Sequence, residues 1–257
     1  ATSVSAKRVL LLGDPQLLPQ VTTGTHAEPV DVSALGWLSE GHDVLPSELG
    51  VFLPESWRMS PELCATVSEL SYDNKLHSVT GEGAPRRVLE NTSPGLHYIP
   101  VNHQGRTLWS PEEAERVVLL VEELIGREWT DSANAKYVTG NPLEQEEIIV
   151  VAAYNAQVDL IEEALNNAGY SQVRVGTVDR FQGREAAVAI VSLAASSAKE
   201  IPRGIEFLLM KNRLNVAISR AKWSAYLIAS PSLREFLPAN EEALRLLSRY
   251  ITLTNNL

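Results

Sequence analysis

The fold is decided by residues 148–169, which read IIVVAAYNAQVDLIEEALNNAG. Residues 148–153 form a near-continuous apolar run, as expected of a strand that is buried on both faces of a sheet. The run leads at once into an amphipathic helix, which Gly169 ends because glycine readily adopts the left-handed conformation found after helices. A buried strand followed by a helix predicts a parallel sheet covered by helices.

The alternation of strands and helices extends over most of the chain. Two helices are predicted to begin with a serine cap followed by proline, and the second, at Ser110, also has the glutamate of a capping box, Glu113. Strands rich in β-branched residues favour a mostly parallel α/β sheet. The predicted strands are 8–12, 97–101, 148–153, 173–178, 187–193 and 224–229, and the predicted helices are 33–39, those beginning at Ser60 and Ser110, 155–168, 212–221 and 231–250.

The composition excludes several classes of protein. The 257 residues are 44% apolar, yet no stretch approaches the ~20 uncharged residues that span a bilayer, and no signal-peptide pattern opens the chain. The single cysteine, Cys64, leaves no partner for an internal disulfide, and a reduced, cytoplasmic setting is the simplest interpretation. Because Cys64 lies in an apolar helical pattern, we expect a buried core thiol rather than a nucleophile.

The charge is unevenly distributed along the chain. A formal net charge of −10 argues against a protein whose whole surface binds nucleic acid. Residues 199–222 are locally basic, and a basic strip within an acidic protein suits phosphate contacts at one site. Taken alone, the strip is interpreted equally well as an ordinary solvated face. It comprises Lys199, Arg203, Lys211, Arg213, Arg220 and Lys222, against Glu200 and Glu206.

The strongest functional signal comes from two polar blocks, residues 177–185 (TVDRFQGRE) and residues 215–222 (NVAISRAK). Each block lies where a predicted strand meets a loop or a helix. Gly183 permits a tight turn that brings the backbone close to a ligand, and arginine offers phosphate a planar fork of donors with a permanent charge. These features suit contacts to phosphate, although the phosphate-loop pattern G-x-x-x-x-G-K-[ST] occurs nowhere in the chain.

With these blocks in order, the chain resembles superfamily 1 helicases, in the group of the nonsense-mediated-decay helicase and the replication nuclease-helicase. The matching segments are Gly13–Gln20, Ser56–Met59, Val151–Gln157, Thr177–Glu185 and Asn215–Lys222. The resemblance implies a RecA-like lobe of the P-loop NTPase fold, a mostly parallel α/β sheet flanked by helices, without the P-loop itself. It further implies that residues 1–50 are the tail of a first RecA-like lobe, including the third helicase motif, and that residues 51–257 are the second lobe.

The same resemblance assigns roles to individual residues. It implies that Arg220 is the arginine finger, which stabilises the charge of a γ-phosphate during hydrolysis, and that Arg58 is a second γ-phosphate contact. The alternative for Arg220 is an ion pair on a helix surface. The implied ATP-binding residues are Gly13, Asp14, Gln16, Gln182, Gly183 and Glu185, and the implied nucleic-acid-binding residues are Thr177, Tyr154 and Asn215.

One block departs from the pattern of the family. The third helicase motif normally has glutamine where this chain has Leu17, and often proline where it has Gln20. The family glutamine links the γ-phosphate to the nucleic-acid side of the cleft, and leucine has no polar group with which to do so. Gln16 reaches the site only if the turn shifts by one residue.

The implied activity is ATP-driven translocation on single-stranded nucleic acid, with DNA preferred over RNA on the habit of the family. ATP and Mg²⁺ are the implied cofactors, with Mg²⁺ held mainly by an upstream RecA-like lobe of the same polypeptide. No cluster of histidines predicts a metal site in this chain, and no membrane contact is expected. Trp57, Trp109 and Phe181 are candidate platforms for base stacking, although we expect at least two of them to pack in the core.

Two alternatives remain open at this point. The chain could be a non-catalytic RecA-like docking module. Leu17 and the acidic net charge favour this alternative, and the presence of Arg58, Glu185 and Arg220 argues against it. It could also belong to an RNA helicase of the same family, because contacts to a 2′-hydroxyl leave no signature in a sequence. In either helicase interpretation the stretch alone is expected to be inactive, since the groups that bind the β- and γ-phosphates lie upstream.

Overall fold

The computed structural model describes residues 7–18, 32–39, 41–198, 201, 204–238 and 240–255. Its strands are β1 (Glu55–Ser56), β2 (His77–Ser78), β3 (Arg87–Leu89), β4 (Gly95–Pro100), β5 (Glu128–Asp131), β6 (Asn141–Pro142), β7 (Ile148–Ala152), β8 (Arg174–Gly176), β9 (Ala186–Ser192) and β10 (Ala221–Ala229). Five of them form one sheet in the order β4-β10-β9-β7-β8, and every pairing in it is parallel. The predicted mostly parallel α/β sheet is therefore confirmed.

Helices cover both faces of this sheet. They are α1 (Ala34–Leu38), α2 (Pro61–Ser71), α3 (Pro111–Leu124), α4 (Asn155–Asn167), α5 (Gly204–Leu208), α6 (Lys211–Ile218) and α7 (Glu241–Asn255), with short 3₁₀ turns at Gln145–Glu147, Val178–Phe181 and Pro231–Arg234. Strand β7 is buried throughout, with Ile149 and Val151 packing in the core on one face and Ile148 and Val150 in the core on the other. Helices α2, α6 and α7 cover the first face, and α3 and α4 cover the second.

Serine caps begin α2 and α3 as predicted, but the capping box of α3 is only half formed. Ser110 Oγ accepts a hydrogen bond from the Glu113 backbone N–H at 3.1 Å. The Glu113 carboxylate is fully buried and does not return to the cap. Its Oε2 accepts from Ser192 Oγ at 2.6 Å, and its Oε1 lies 2.9 Å from His103 Nε2. A buried carboxylate needs such partners because an unpaired buried charge is costly, so Glu113 ties α3 to the end of β9.

A small antiparallel sheet, β3-β5-β6, lies beside the main one. It belongs to the same core as α3 and α4, to which it contributes the fully buried side chains of Trp129 and Tyr137. The sequence predicts only a loop-rich excursion at 73–95 and no strand at 128–142. Strands this short carry too few residues for a period of two to be recognised.

The strand predicted at residues 8–12 is not formed. The run is instead exposed, with Leu10 at 79% and Leu12 at 85% of full exposure. A strand needs a hydrogen-bonded neighbour, and no strand that the structure describes pairs with this run. Its apolar side chains are therefore without a core in the described part of the chain.

The two C-terminal helices differ from the predicted bounds. The predicted helix 212–221 ends at Ile218, because Ala221 already pairs with β9. The predicted helix 231–250 is divided into a 3₁₀ turn and α7, with Pro238 between them, and the residue before a proline disfavours helical backbone. Among the described residues, no helix combines the length and the apolarity that crossing a bilayer requires.

Cys64 has the environment that its helical pattern predicts. Its side chain is fully buried in α2, and burial raises the pKa of the thiol to about 11. A thiol in this state is neutral at physiological pH and is a poor nucleophile. The prediction of a core thiol is confirmed.

Candidate functional site

Four charged residues gather where β9 and β10 begin: Arg58, Glu185, Arg220 and Lys222, here called the amino-end cluster. Arg58 Nε donates to Glu185 Oε2 at 2.8 Å, and Lys222 Nζ lies 3.4 Å from Glu185 Oε1. Burial alone would raise the pKa of Glu185, but the hydrogen bond from Arg58 and the charge of Lys222 outweigh it, and the pKa is lowered. Glu185 is therefore an ionised carboxylate that holds two cations at neutral pH.

The backbone of β10 explains how Lys222 enters this cluster. Opposite β9, β10 has one extra residue at Lys222 and Trp223, which is a β-bulge. Bulges redirect side chains and leave backbone groups unpaired. Ser60 pairs with both freed carbonyls: its N–H donates to Lys222 O at 2.8 Å and its Oγ donates to Trp223 O at 3.0 Å. The cap of α2 thus fixes the segment that carries Arg58 against the start of β10.

Arg220 lies inside the lobe. Its Nε donates to Val216 O at 3.0 Å, and its Nη2 donates to Ser219 Oγ at 3.2 Å. Desolvation, followed by the charge of Arg58, lowers the pKa of Arg220 to about 10, so the guanidinium remains charged at neutral pH. The two arginines therefore repel each other, and an anion between them would relieve that repulsion. Arg220 makes no ion pair on a helix surface among the described residues.

The turn at residues 13–18 packs against α6 and the end of α2. Asp14 Oδ2 accepts a hydrogen bond from the Tyr72 hydroxyl at 2.6 Å. Burial and the Asp14 carboxylate raise the pKa of Tyr72, so the hydroxyl stays protonated. Asn215 Nδ2 donates to Gln16 O at 2.9 Å and lies 3.1 Å from the Tyr72 hydroxyl. Asn215 is fully buried, and its contacts hold this turn rather than face a surface that a nucleic-acid strand could reach.

The side chains of Gln16 and Leu17 are both occupied within this turn. Gln16 is buried, and its Nε2 donates to Asp43 O at 2.9 Å. Leu17 packs against the core, while its carbonyl accepts from Asn212 Nδ2 at 2.6 Å. In this arrangement neither side chain is presented to a phosphate. Gln20 lies outside the described residues.

The remaining predicted nucleotide-binding residues, Gly13, Gln182 and Gly183, are exposed in loops. Gly183 has φ of 77°, a conformation that glycine adopts without strain. A side chain there would meet no neighbouring atom within 4 Å, so the backbone at Gly183 is open to a ligand. The loop joins the 3₁₀ turn at Val178–Phe181 to Glu185.

An open cleft lies at the other end of the sheet, where β7 and β9 end. We call it the carboxyl-end cleft. Most of its lining is apolar, and one cationic side chain borders it. Its lining residues include Ala153, Val178, Leu193, Phe207 and Arg213.

One wall of the carboxyl-end cleft combines aromatic rings with a cation. The rings of Tyr154 and Phe207 stack with centroids 5.7 Å apart, and the guanidinium carbon of Arg213 lies 4.3 Å from the Phe207 centroid. Thr177, which is half-buried, directly precedes the 3₁₀ turn that supplies Val178 to the lining, and its side chain makes no capping hydrogen bond. Two of the predicted nucleic-acid-binding residues, Tyr154 and Thr177, therefore lie at this end of the sheet.

The three candidate stacking platforms have different environments. Phe181 is buried in the main core, so the structure corrects its assignment as a platform. Trp57 and Trp109 are exposed, and Arg106 lies over the Trp109 ring at 5.3 Å, so the expectation that at least two of the three pack in the core is wrong. Phe207 was missed by sequence reasoning because a single phenylalanine in a short helix has no distinguishing pattern.

The predicted basic strip does not form one surface. Lys199, Glu200 and Arg203 lie outside the described residues. Lys211 is ion-paired with Asp43, and Lys222 with Glu185 and Asp131. Arg213 borders the carboxyl-end cleft, whereas Arg220 is in the amino-end cluster. The described members of the strip therefore divide between the two ends of the sheet.

Two residues behind the amino-end cluster were also missed by sequence reasoning, Arg87 and Asp131. Both lie in the small antiparallel sheet and connect to Lys222 and Arg58. Their spacing in the sequence carries no signal, since only the fold brings them to the cluster. In the described part of the chain, no group of three or more histidine, cysteine or carboxylate side chains is placed to hold a metal ion.

Comparison with known proteins gives one matching family, described as "AAA domain", over residues 33–232. The chain is 33% identical over 185 residues to the DNA polymerase alpha-associated DNA helicase A of Schizosaccharomyces pombe, covering 66% of this chain and 26% of that protein. It is 25% identical over 248 residues to the DNA replication ATP-dependent helicase/nuclease JHS1 of Arabidopsis thaliana, covering 88% and 17%.

A third relative is named for RNA rather than DNA. The chain is 28% identical over 191 residues to the Regulator of nonsense transcripts 1 homolog of Neurospora crassa, covering 70% of this chain and 17% of that protein. The chain thus spans about a quarter or less of the length of these three relatives.

Proposed function

Since this chain belongs to the AAA domain family and is the C-terminal, RecA-like lobe of a superfamily 1 helicase, we propose that it contributes the arginine finger and part of the single-strand track to an ATP-driven motor. ATP is the proposed substrate of the complete protein. Arg220 is the proposed finger, and Arg58 the second γ-phosphate contact. Glu185 and the exposed Gln182–Gly183 backbone are the proposed contacts to the rest of the nucleotide.

The observation that carries this proposal is the meeting of Arg58 and Arg220 at one end of the sheet. Arg58 Nη1 donates to Ser219 O at 3.2 Å, directly before Arg220, and the charge of Arg58 contributes to the lowered pKa of Arg220, so the two cations make a site that favours a polyanion. During hydrolysis of a γ-phosphate, negative charge spreads over its oxygens, and a positioned arginine stabilises that charge. Without nucleotide, Glu185 neutralises Arg58 and keeps it in place.

The finger has to move before it can act. Arg220 is now hydrogen-bonded to Val216 O and Ser219 Oγ. Reaching a phosphate requires the guanidinium to exchange these contacts for phosphate oxygens. Because the exchange replaces neutral acceptors by a charged one, the new hydrogen bonds are the stronger set. We therefore expect that closure of two lobes on the nucleotide moves the Arg220 side chain out of its buried position.

The other half of the site is proposed to lie in an upstream RecA-like lobe. Residues 1–50 are then the tail of that lobe, with Asp14 and Gly13 at the cleft, and residues 51–257 are the second lobe. The exposed apolar run at residues 8–12 supports this division, because a strand of that composition normally lies inside a sheet that is buried on both faces. Mg²⁺ would arrive with the nucleotide and be held mainly by the upstream lobe.

The carboxyl-end cleft is the proposed contact for single-stranded nucleic acid. Phe207, which is half-buried and stacked on the buried ring of Tyr154, offers a ring for base stacking. Arg213 offers a cation, and Thr177 offers a contact to the nucleic-acid backbone that does not read the bases. We propose DNA over RNA, which the names of two of the three relatives favour. The third relative makes RNA the specific alternative.

A non-catalytic docking module is the second candidate function. It is favoured by the packing of Leu17 against the core and the burial of Gln16, which together leave the third motif without a free polar side chain. In that case the amino-end cluster would stabilise the fold without turning over nucleotide. The two functions predict opposite results in one assay.

That assay is ATP hydrolysis by the complete protein, with and without a single-stranded oligonucleotide. We expect stimulated turnover in the wild type and a fall of about a thousandfold in Arg220→Ala, as for other arginine fingers. Arg245→Ala is the matched control, since Arg245 is exposed and pairs only with Glu241 along α7 in the described chain. No turnover in the wild type, or full turnover in Arg220→Ala, would favour the docking module.

Two further measurements use the same reagents. Residues 1–257 alone are expected to hydrolyse ATP at no useful rate, and robust turnover by them would contradict a site shared with an upstream lobe. Oligonucleotides of identical sequence in DNA and RNA form distinguish the two nucleic acids. Stronger stimulation by RNA would overturn the preference for DNA.

A further inference from the structure

We propose that Asp131, in the small antiparallel sheet, is a positioning residue for the nucleotide site. It acts through Arg87 and Lys222, which hold Arg58 and Glu185. The inference deepens the proposed function and rests on it, because it concerns residues that face the same phosphate site. Asp131 itself lies behind that site and touches neither a phosphate nor the cleft.

Both oxygens of Asp131 are engaged with cations. Oδ1 accepts from Arg87 Nε at 3.1 Å and from the Ala133 N–H at 3.2 Å, and Oδ2 lies 3.1 Å from Lys222 Nζ. The side chain of Asp131 is 0% exposed, and those of Arg87 and Lys222 are each 10% exposed. Burying a carboxylate is costly unless it is paired, as Asp131 is here.

Two series of contacts, here called arms, connect Asp131 to Arg58. The first arm runs from Asp131 through Arg87 to the backbone of Arg58. Arg87 Nη1 donates to the carbonyls of Trp57 at 3.1 Å and Arg58 at 2.8 Å. The rigid guanidinium fork therefore fixes the main chain on which the Arg58 side chain stands. Asp131 orients the Arg87 guanidinium through Arg87 Nε. The Asp131 carboxylate therefore helps to fix the backbone position of Arg58.

The second arm runs from Asp131 to Glu185. Lys222 Nζ lies between the two carboxylates, 3.1 Å from Asp131 Oδ2 and 3.4 Å from Glu185 Oε1. Glu185 in turn accepts from Arg58 Nε at 2.8 Å. The two arms therefore meet at Arg58, one through its backbone and one through its side chain.

The arrangement is better explained by positioning than by stability. Buried ion networks are costly to desolvate, and apolar side chains of similar volume often stabilise a fold as well or better. Asp131 joins β5 to the bulge of β10, which carries Lys222 into the amino-end cluster. Small displacements of groups behind an active site are known to cost rate even when the fold persists.

The test is Asp131→Asn in the complete protein. Asparagine keeps the shape and loses the charge that holds Lys222. We expect kcat for oligonucleotide-stimulated ATP hydrolysis to fall about 10–100-fold, the range typical for residues that orient a functional group. The KM for the oligonucleotide should change less than twofold, because the carboxyl-end cleft is at the other end of the sheet.

Two comparisons separate positioning from folding. Leu89→Ala removes a buried side chain from the same small sheet without touching the ion network, so it should lower Tm at least as much as Asp131→Asn and leave kcat nearly unchanged. In a double-mutant cycle with Arg58→Ala, the added Asp131→Asn should lower kcat by clearly less than it does in the wild type, since only the part of its effect that passes through Glu185 remains.

The outcomes distinguish this inference from the function on which it rests. If wild type lacks turnover, the proposed function fails and the inference falls with it. If wild type is active and Arg220→Ala is not, but Asp131→Asn matches Leu89→Ala in kcat, only the inference is overturned. Additive losses in the cycle with Arg58→Ala overturn it as well.

Discussion

The two ends of the parallel sheet differ in how they are stabilised. At the amino end, Arg58, Glu185 and Lys222 are linked by ion pairs, with Arg220 buried beside them. At the carboxyl end, an apolar cleft is bordered by Phe207 and one cation, Arg213. One sheet therefore carries a charged site suited to phosphate and an aromatic site suited to bases.

Under the proposed function, this difference would let a single lobe keep two ligands apart. Charged groups that must stabilise a transition state need a fixed geometry, which the ion pairs and the β10 bulge provide. Bases of any sequence can stack on a ring, which requires a π-face and space but no exact hydrogen bonding. This division predicts that substitutions at one end leave the function of the other nearly intact.

The largest effect is expected at the amino end, from Arg58→Ala. Removing one donor to a developing charge typically costs about 10²–10³ in kcat, so we expect ATP hydrolysis by the complete protein to fall by that factor. Affinity for a single-stranded oligonucleotide, measured by fluorescence anisotropy, should stay within twofold of wild type. A parallel loss of both activities would break the division between the two ends.

The next effect is expected at the carboxyl end, from Phe207→Ala. Stacking on an aromatic side chain is worth about 1–3 kcal/mol per base, so oligonucleotide affinity should fall about 5–150-fold. Unstimulated ATP hydrolysis should be unchanged. Leu244→Ala, an exposed residue of α7, is the control for a lost apolar side chain. Unaltered affinity in Phe207→Ala would remove the carboxyl-end cleft from the proposed track.

Most of the fold follows from the sequence because it depends on local patterns. The apolar run at 148–153 and the capped helix at Ser110 carry their periodicity within a few residues. The failures occur where tertiary context decides. The run at 8–12 has the composition of a strand but no partner among the described strands, and the short strands β5 and β6 depend on packing around Trp129.

The site follows from the sequence only in part. Family resemblance identifies Arg58, Glu185 and Arg220, and the structure brings these three together. No pattern identifies Asp131, because its link to Lys222 spans 91 positions and is made only by folding. Glu113 illustrates the converse, since a capping box predicts its backbone contact to Ser110 but not the side chain buried against His103.

The smallest effect is expected from an ion pair at the carboxyl end, Arg106–Glu112. The fork of hydrogen bonds from Arg106 lowers the pKa of Glu112 to about 2, below the ordinary value of 4.5. The pair therefore stabilises the folded state above pH 4.5 and loses that contribution as the pH falls towards 2. The Glu112 side chain is 36% exposed, so solvent limits the contribution to less than about 1 kcal/mol.

The free energy of unfolding in urea should be lower for Glu112→Gln than for the wild type at pH 7, and the two values should converge near pH 2. Glu122→Gln, on the exposed side of the same helix, is the control and should match the wild type at both pH values. Loss of oligonucleotide affinity in Glu112→Gln at pH 7 would mean that this pair shapes the cleft as well as the fold.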